Sequence, residues 1–126
     1  MNIALWIVQI LLALLFLMAG FMKASQPIEK LAERMGGWVK DFSPMQIRII
    51  GILEVLAGIG LILPMLTNIL PILTPLAAVG LILTMIGAMI THARRSEYSN
   101  IGGNAVLLLL ALFVAYGRFV LLPVQG

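Results

Sequence analysis

Several polar side chains of the types that move protons or bind ligands lie within or beside long apolar runs of this sequence. Four of them interrupt the runs: Gln9, Glu54, Asn104 and Arg118. Three more stand where runs begin or end: Lys23, Arg48 and His92. If the runs cross a membrane, each charge inside it costs roughly a few kcal/mol unless it has a partner. These residues are therefore the candidates for a binding site, a proton relay or a structural contact.

Glu54 is the sharpest candidate because it lies near the middle of its apolar run. Gly51 and Gly58 share its face of a helix. Small residues on that face allow a neighbouring helix to approach closely, so we expect the carboxyl group to face the other helices. Two interpretations are open: a structural ion pair or hydrogen bond, and a proton-relay or ligand-binding role.

Arg118 lies near the end of the last apolar run, on a helix face that it shares with Asn104. Gln9 is expected at a similar depth, and Glu54 about a turn and a half deeper, within reach of the long arginine side chain. The sequence thus predicts one polar core, formed by Gln9, Glu54, Asn104 and Arg118. The alternative for Arg118 is that its side chain extends to the lipid headgroups.

A second polar cluster is expected at the opposite interface, where Lys23, Arg48 and His92 should gather. Contacts with lipid phosphates would explain the two basic residues. His92 is more typical of an interfacial or loop-capping histidine than of a ligand.

Several kinds of chemistry are excluded by the residues that the chain lacks. It has no cysteine and a single histidine, so disulfides, thiolate catalysis and multi-histidine zinc or haem sites within one chain are ruled out. Phosphate-binding, dinucleotide-binding and hydrolase motifs do not occur. We therefore expect no catalytic residue, no metal site and no covalently bound cofactor.

The composition indicates an integral membrane protein. Of the 126 residues, 62% are apolar and 10% are charged, and the mean hydropathy is +1.12. Soluble domains contain about 45–50% apolar and about 25% charged residues. The basic residues that give the net charge of +3 flank apolar runs, so they indicate membrane topology and lipid contact rather than nucleic-acid binding.

The predicted fold is an all-α membrane bundle in a single domain covering residues 1–126. Four transmembrane helices are expected over residues 3–22, 45–63, 74–91 and 104–122. A short amphipathic helix should precede Gly36, either lying in the interface or folded against the bundle. Ser43, Pro44 and Gln46 form a capping-box pattern at the start of the second span.

Proline and glycine mark the other expected boundaries. Pro64 should end the second span, Thr74 and Pro75 should begin the third, and Pro123 should end the fourth. A polar loop is expected from His92 through Tyr98 to residues 102–103. The basic residues concentrate in the first and third loops, which predicts that both loops are cytoplasmic and both termini lie outside.

This layout resembles the DoxX and DoxX-like family of small four-helix bacterial membrane proteins. The resemblance rests on three segments: residues 19–23 (AGFMK), 50–64 (IGILE through GLILP) and 85–92 (MIGA running to histidine). It implies a four-helix bundle in the bacterial inner membrane, and it points to Lys23, Glu54 and His92 as family polar positions. Some relatives are subunits of thiosulfate:quinone oxidoreductases or other membrane oxidoreductases.

Three functions are open at this point. The first is a membrane subunit that binds a quinone-like or other lipophilic molecule and associates with an oxidoreductase partner, with quinone as the candidate non-covalent cofactor. The second is a small-solute or proton-coupled transporter that acts as a homo-oligomer, because four helices alone form a narrow unit. The third is a membrane scaffold without a ligand.

Overall fold

The computed structural model describes residues 1–124 and confirms an all-α membrane fold. Its helices are α1 (Asn2–Ser25), α2 (Ile28–Met35), α3 (Pro44–Gly60), α4 (Leu63–Thr67), α5 (Leu73–Arg94) and α6 (Tyr98–Tyr116). A 3₁₀ turn covers Gly37–Asp41, and a π-helical turn, Gly117–Leu121, extends α6. Four stretches are long and apolar enough to cross a membrane: Asn2–Ser25, Pro44–Thr67, Leu73–Arg94 and Tyr98–Leu121.

The bundle consists of two closely packed helix pairs, α1 with α3 and α5 with α6, and the pairs contact each other less extensively. The core between them consists of apolar side chains from all four long stretches, including Leu12, Phe16, Leu61, Leu81 and Val114. Many large apolar side chains on the outside are exposed. That pattern suits a lipid environment, because lipid chains are as apolar as the core.

The amphipathic helix α2 folds against the bundle rather than lying apart from it. Leu31 of α2 is fully buried together with Val39 of the 3₁₀ turn and Ile47 of α3. The capping box at the start of α3 forms as predicted: Gln46 N–H donates to Ser43 Oγ, and Ser43 N–H donates to Gln46 Oε1. These contacts hold the segment between α1 and α3 against one end of the molecule.

Two predicted boundaries differ from the structure. Pro64 does not end the second span; it lies in the first turn of α4, where a proline costs no helical hydrogen bond. The expected polar loop after His92 is short, because α6 already begins at Tyr98 and contains residues 102–103. Both glycines there have open space around them, and glycine is common in membrane helices.

Thr74 also acts differently from the expected helix cap. Its hydroxyl donates to the carbonyl oxygen of Gly60 at 2.8 Å, and α5 begins one residue earlier, at Leu73. The hydroxyl thus binds the start of α5 to the end of α3 across the α4 turn.

The two ends of the bundle differ in their charged residues. The basic end contains the last turn of α1, the first turn of α3, the last turn of α5 and the first turn of α6, with the loops that join them. The Arg118 end contains the start of α1, the α4 turn and the π-helical turn.

Candidate functional site

Glu54 is buried in the α1–α3 contact and forms an ion pair with Lys23. The Nζ–Oε1 distance is 2.6 Å, and the side chains are 11% exposed for Lys23 and 3% for Glu54. Gly20 of α1 and Gly51 of α3 face each other so closely that a Cβ on either would overlap backbone atoms of the other helix. The glycine spacing in α3 predicted a close approach of another helix, and that helix is α1. The ion pair between Lys23 and Glu54 lies beside this contact.

The sequence placed Glu54 within reach of Arg118 in one polar core, but Glu54 pairs with Lys23 and Arg118 with Gln9, so the prediction of a shared core was wrong. Side chains on a helix lean toward its N-terminus. The N-terminus of α3 is at the basic end, so Glu54 leans away from Arg118. Lys23, at the end of the antiparallel helix α1, leans toward the middle of the bundle and meets the carboxylate.

Arg48 of α3 adds a second link to α1 by binding the backbone of Lys23. Its Nη1 donates to the carbonyl oxygen of Lys23 at 2.6 Å. The helical partner of that carbonyl would be the N–H of residue 27, which is a proline and has none. Arg48 thus satisfies a helix-end carbonyl that the sequence leaves without a donor.

A cavity of about 350 Å³ lies beside this ion pair at the basic end. It is walled by side chains from α1, the 3₁₀ turn, α3, α5 and α6, among them Lys23, Trp38, Leu53, Gly87, His92 and Asn104. We call it the basic-end cavity. Its walls are mainly apolar, and the predicted polar residues that reach it are Lys23, His92 and Asn104.

Some polar groups of the cavity already have hydrogen-bond partners within the part of the chain that the structure describes, and one does not. Thr84 and Thr91 donate to the carbonyl oxygens of Gly80 and Gly87 in their own helix. The Nδ2 atom of Asn104, in contrast, is buried and has no hydrogen-bond partner within residues 1–124. Asn104 therefore lies at this cavity and not, as expected, in a core shared with Arg118.

An aromatic and basic cluster borders the cavity. The Lys23 ammonium lies 5.4 Å from the centroid of the Trp38 ring, within the range of a cation–π contact. The His92 ring packs edge-on to Trp38 with centroids 5.9 Å apart, and Phe42 packs on Trp38 in the same manner at 6.1 Å.

His92 connects the cavity to charged groups of the α5–α6 loop. Its Nδ1 lies 2.9 Å from Glu97 Oε1. Arg95 pairs with two carboxylates: its Nε lies 3.3 Å from Glu97 Oε1, and its Nη1 lies 3.0 Å from Asp41 Oδ1. The hydrogen bond with His92, followed by the charge of Arg95, lowers the pKa of Glu97. The hydrogen bond with Asp41 raises the pKa of Arg95, which stays charged at any physiological pH.

A separate polar cluster forms at the Arg118 end. Arg118 is 2% exposed; its Nε donates to Gln9 Oε1 at 2.7 Å and its Nη1 to Asn2 Oδ1 at 2.8 Å. Gln9 Nε2 donates in turn to the carbonyl oxygen of Leu61 at 2.7 Å. Trp6 lies beside the guanidinium, 5.7 Å from ring centroid to Cζ.

The structure thus divides the predicted residues differently from the sequence analysis. Gln9 and Arg118 lie together at one end, whereas Glu54 and Asn104 lie with Lys23, Arg48 and His92 at the other. Buried apolar side chains of the core, such as Ala13, Phe16 and Ala111, lie between the two clusters along α1 and α6.

Some residues of these clusters were not singled out from the sequence as site residues. Asn2 lies two helical turns before Gln9 on one face of α1, a spacing that could have identified it. Trp38 lies in the 3₁₀ turn between α2 and α3, and Glu97 lies five residues after His92 across a loop whose conformation helical periodicity does not predict.

Among residues 1–124, no group of three or more His, Cys, Asp or Glu side chains is arranged to hold a metal ion. No curated protein and no solved structure matches the chain. A family model described as the DoxX-like family matches residues 7–114. That match covers most of the sequence, including every residue of the basic-end cavity. On this evidence the chain belongs to the DoxX-like family.

Proposed function

We propose that this DoxX-like membrane protein is a non-catalytic subunit that binds a quinone-like lipophilic molecule in its basic-end cavity, beside an oxidoreductase partner. The observation that supports this most is the cavity itself, with mainly apolar walls and the Asn104 Nδ2 atom, which has no partner among residues 1–124. Small-molecule sites typically combine apolar walls with a few well-placed polar groups.

The size and position of the cavity favour a small, membrane-soluble ligand. A volume of about 350 Å³ is near the lower end of the range for ligand sites, roughly 300–1,000 Å³. Leu53 and Gly87, which line it, are both exposed within the spanning segments. A ring can thus occupy the cavity while an apolar tail extends between α3 and α5 into the lipid.

The polar groups favour a ligand with carbonyl oxygens. Asn104 Nδ2 is a donor without a partner in the described part of the chain, and Lys23 Nζ has two further N–H groups besides the one that faces Glu54. A quinone ring presents two such acceptors on an otherwise apolar body, and it supplies the chemistry of accepting electrons and protons.

His92 and Glu97 provide a route for protons between the cavity and the loop. With Nδ1 of His92 on Glu97, the second ring nitrogen is left for other partners. Glu97 is 28% exposed on its side chain, so it can exchange protons with water. The chain itself would bind and orient the ligand and conduct protons. The oxidoreductase partner would exchange electrons with the bound ligand.

The experiment that tests this proposal measures binding of a short-chain quinone by quenching of Trp38 fluorescence in the Trp6→Phe protein. Gly87→Leu adds a side chain at the cavity mouth, where a new Cβ would meet nothing within 4 Å. We expect it to weaken the saturable quenching about tenfold or more, because it takes the ligand's space, a loss of about 1.4 kcal/mol.

Gly80→Leu is the matched control, since Gly80 lies in the same helix with open space around it and does not line the cavity. Equal quenching in both variants would contradict the site. Asn104→Leu should also weaken binding by removing a donor. A stable oxidoreductase complex whose assembly needs no quinone would favour the scaffold, and proton-dependent flux in proteoliposomes would favour the homo-oligomeric transporter.

We also propose that the whole chain is a single transmembrane domain of the bacterial inner membrane with both termini outside. Contacts between α1 and α6, the first and last long helices, support one domain. Every Lys and Arg except Arg118 lies at the basic end or in its loops, which supports a cytoplasmic position for that end.

A further inference from the structure

We propose that the Arg118 end carries a second binding site, one for an oxyanion, in which the Arg118 guanidinium binds the negative charge. It is independent of the basic-end cavity and lies in the opposite half of the bundle. Two sources offer this chemistry there: the phosphate of an anionic lipid headgroup, and a small free oxyanion such as phosphate.

The guanidinium is held by neutral groups alone within residues 1–124. Its two hydrogen-bond acceptors, Gln9 Oε1 and Asn2 Oδ1, are amide oxygens. The carboxylates of the described chain lie elsewhere: Glu54 pairs with Lys23, and the others are in the segments of the basic end. A cation that is 2% exposed and lacks a neutralising partner favours binding an anion.

One arm of the guanidinium is still free to bind. The Nη2 atom is buried and has no hydrogen-bond partner among the described residues. Arginine presents its N–H groups in a planar fork that fits the oxygens of phosphate. A buried donor without a partner is unfavourable, so a ligand oxygen that accepts from it relieves that cost.

The surrounding groups fix the guanidinium in place. Gln9 donates to the carbonyl oxygen of Leu61, which directs its own oxygen toward Arg118. On the other side Trp6 lies 5.7 Å away. Arg118 also lies in the π-helical turn Gly117–Leu121, and π-helical turns often occur at functional sites. A preorganised cation of this kind loses little side-chain freedom when an anion binds.

Arg118 borders an open depression of about 520 Å³ through which a ligand can approach. Its other walls are Asn2, Met65 and residues 121–124. The depression lies where the spanning segments α1 and α6 reach their ends, the level expected for lipid headgroups. Apolar residues of its rim, such as Leu121 and Leu122, are partly exposed and suit the acyl chains of a lipid.

The test uses the full chain with Trp38→Phe, so that Trp6 remains as the single tryptophan and reports on the Arg118 end. Trp6 fluorescence and thermal unfolding are followed in nanodiscs of zwitterionic phosphatidylcholine as phosphatidylglycerol is introduced. A second arm titrates inorganic phosphate in neutral detergent against chloride at equal ionic strength. We expect a saturable Trp6 response and a higher Tm.

Arg118→Gln should weaken that response about tenfold or more, because it removes a charged hydrogen bond. Arg94→Gln, which removes an exposed charge at the basic end, is the matched control and should respond like the parent. A response to phosphatidylglycerol alone assigns the site to a lipid headgroup, and a response to phosphate as well assigns it to a free oxyanion.

Absence of a saturable Trp6 response in both arms would overturn the proposal. An undiminished response in Arg118→Gln would also overturn it. If Arg118→Gln does not fold, the two arms of the Trp38→Phe protein decide the question, since Trp6 is remote from the basic loops that could also attract anions.

Discussion

Lys23 and Glu54 differ in whether each side chain can reach a polar environment when its partner is removed. The Lys23 side chain is long, lies two residues from the end of α1 and is 11% exposed, so it can extend to the headgroups. Glu54 is short and 3% exposed, so its carboxylate would stay buried without a partner. The two halves of the ion pair are therefore unequal in their effect on stability.

We predict that Lys23→Met lowers the free energy of unfolding by about 3 kcal/mol, and Glu54→Gln by about 1–2 kcal/mol. The double variant should be more stable than Lys23→Met alone, because it removes the unpaired carboxylate. Thermal or chemical unfolding in detergent measures all three. Additive losses in the double variant would show that the pair is not coupled.

At the scale of elements, the α1–α3 contact depends on glycines that face each other. A Cβ at Gly20 would lie 2.5 Å from the Gly51 carbonyl oxygen and 2.8 Å from the Val55 nitrogen. Backbone atoms in the middle of a helix cannot move aside alone, so the two helices would have to separate. That separation would also lengthen the nearby contact between Lys23 and Glu54.

Gly20→Ala should therefore destabilise the protein by about 1–3 kcal/mol, the usual cost of overfilling a packed contact. Gly80→Ala is the control, because its Cβ would meet nothing within 4 Å and alanine favours the helix by up to about 1 kcal/mol. The two variants are compared by their Tm in one detergent. A loss in Gly80→Ala as large as in Gly20→Ala would contradict the packing argument.

The α5–α6 loop should respond to acid through Glu97. Because its folded pKa lies below the ordinary value of 4.5, its stabilising effect is complete above pH 4.5 and is lost as the pH falls through the folded pKa. We predict that the Tm difference between the parent and Glu97→Gln shrinks as the pH falls below 4.5. An NMR titration midpoint for Glu97 at or above 4.5 would contradict it.

At the scale of the whole molecule, charge is distributed unequally between the two ends. The basic end carries every Lys and Arg except Arg118, together with the basic-end cavity. The Arg118 end holds one guanidinium among amides. Since lysine and arginine favour the cytoplasmic side, this asymmetry predicts the orientation of the bundle.

Single cysteines can test that orientation, because the chain contains none of its own. Ile69 and Ser99 are exposed residues at opposite ends of the bundle. We predict that Ile69→Cys reacts with a membrane-impermeant maleimide in intact spheroplasts, and that Ser99→Cys reacts only after permeabilisation. The reverse labelling pattern would place the basic end outside.

Local patterns were sufficient to predict the all-α membrane fold and several details of it. The lengths of the apolar runs predicted the four long helical stretches, and the capping-box pattern of Ser43 and Gln46 predicted the start of α3. The end of the second span and the start of α6 were less well predicted, because proline and glycine are tolerated in helices that are supported by neighbours or lipid. The spacing of Gly51 with Glu54 correctly indicated the buried face of α3.

The sequence by itself determined which side chains must find a partner, because a charge or amide inside a membrane is costly whatever the fold. Only the tertiary structure decided which partners they find. Glu54 could reach a cation toward either end by depth alone, and the lean of side chains in antiparallel helices brought it to Lys23 and left Arg118 with Gln9. The choice of partner depends on distances of a few ångströms between helices that are remote in sequence. The periodicity of a single helix carries no information about those distances.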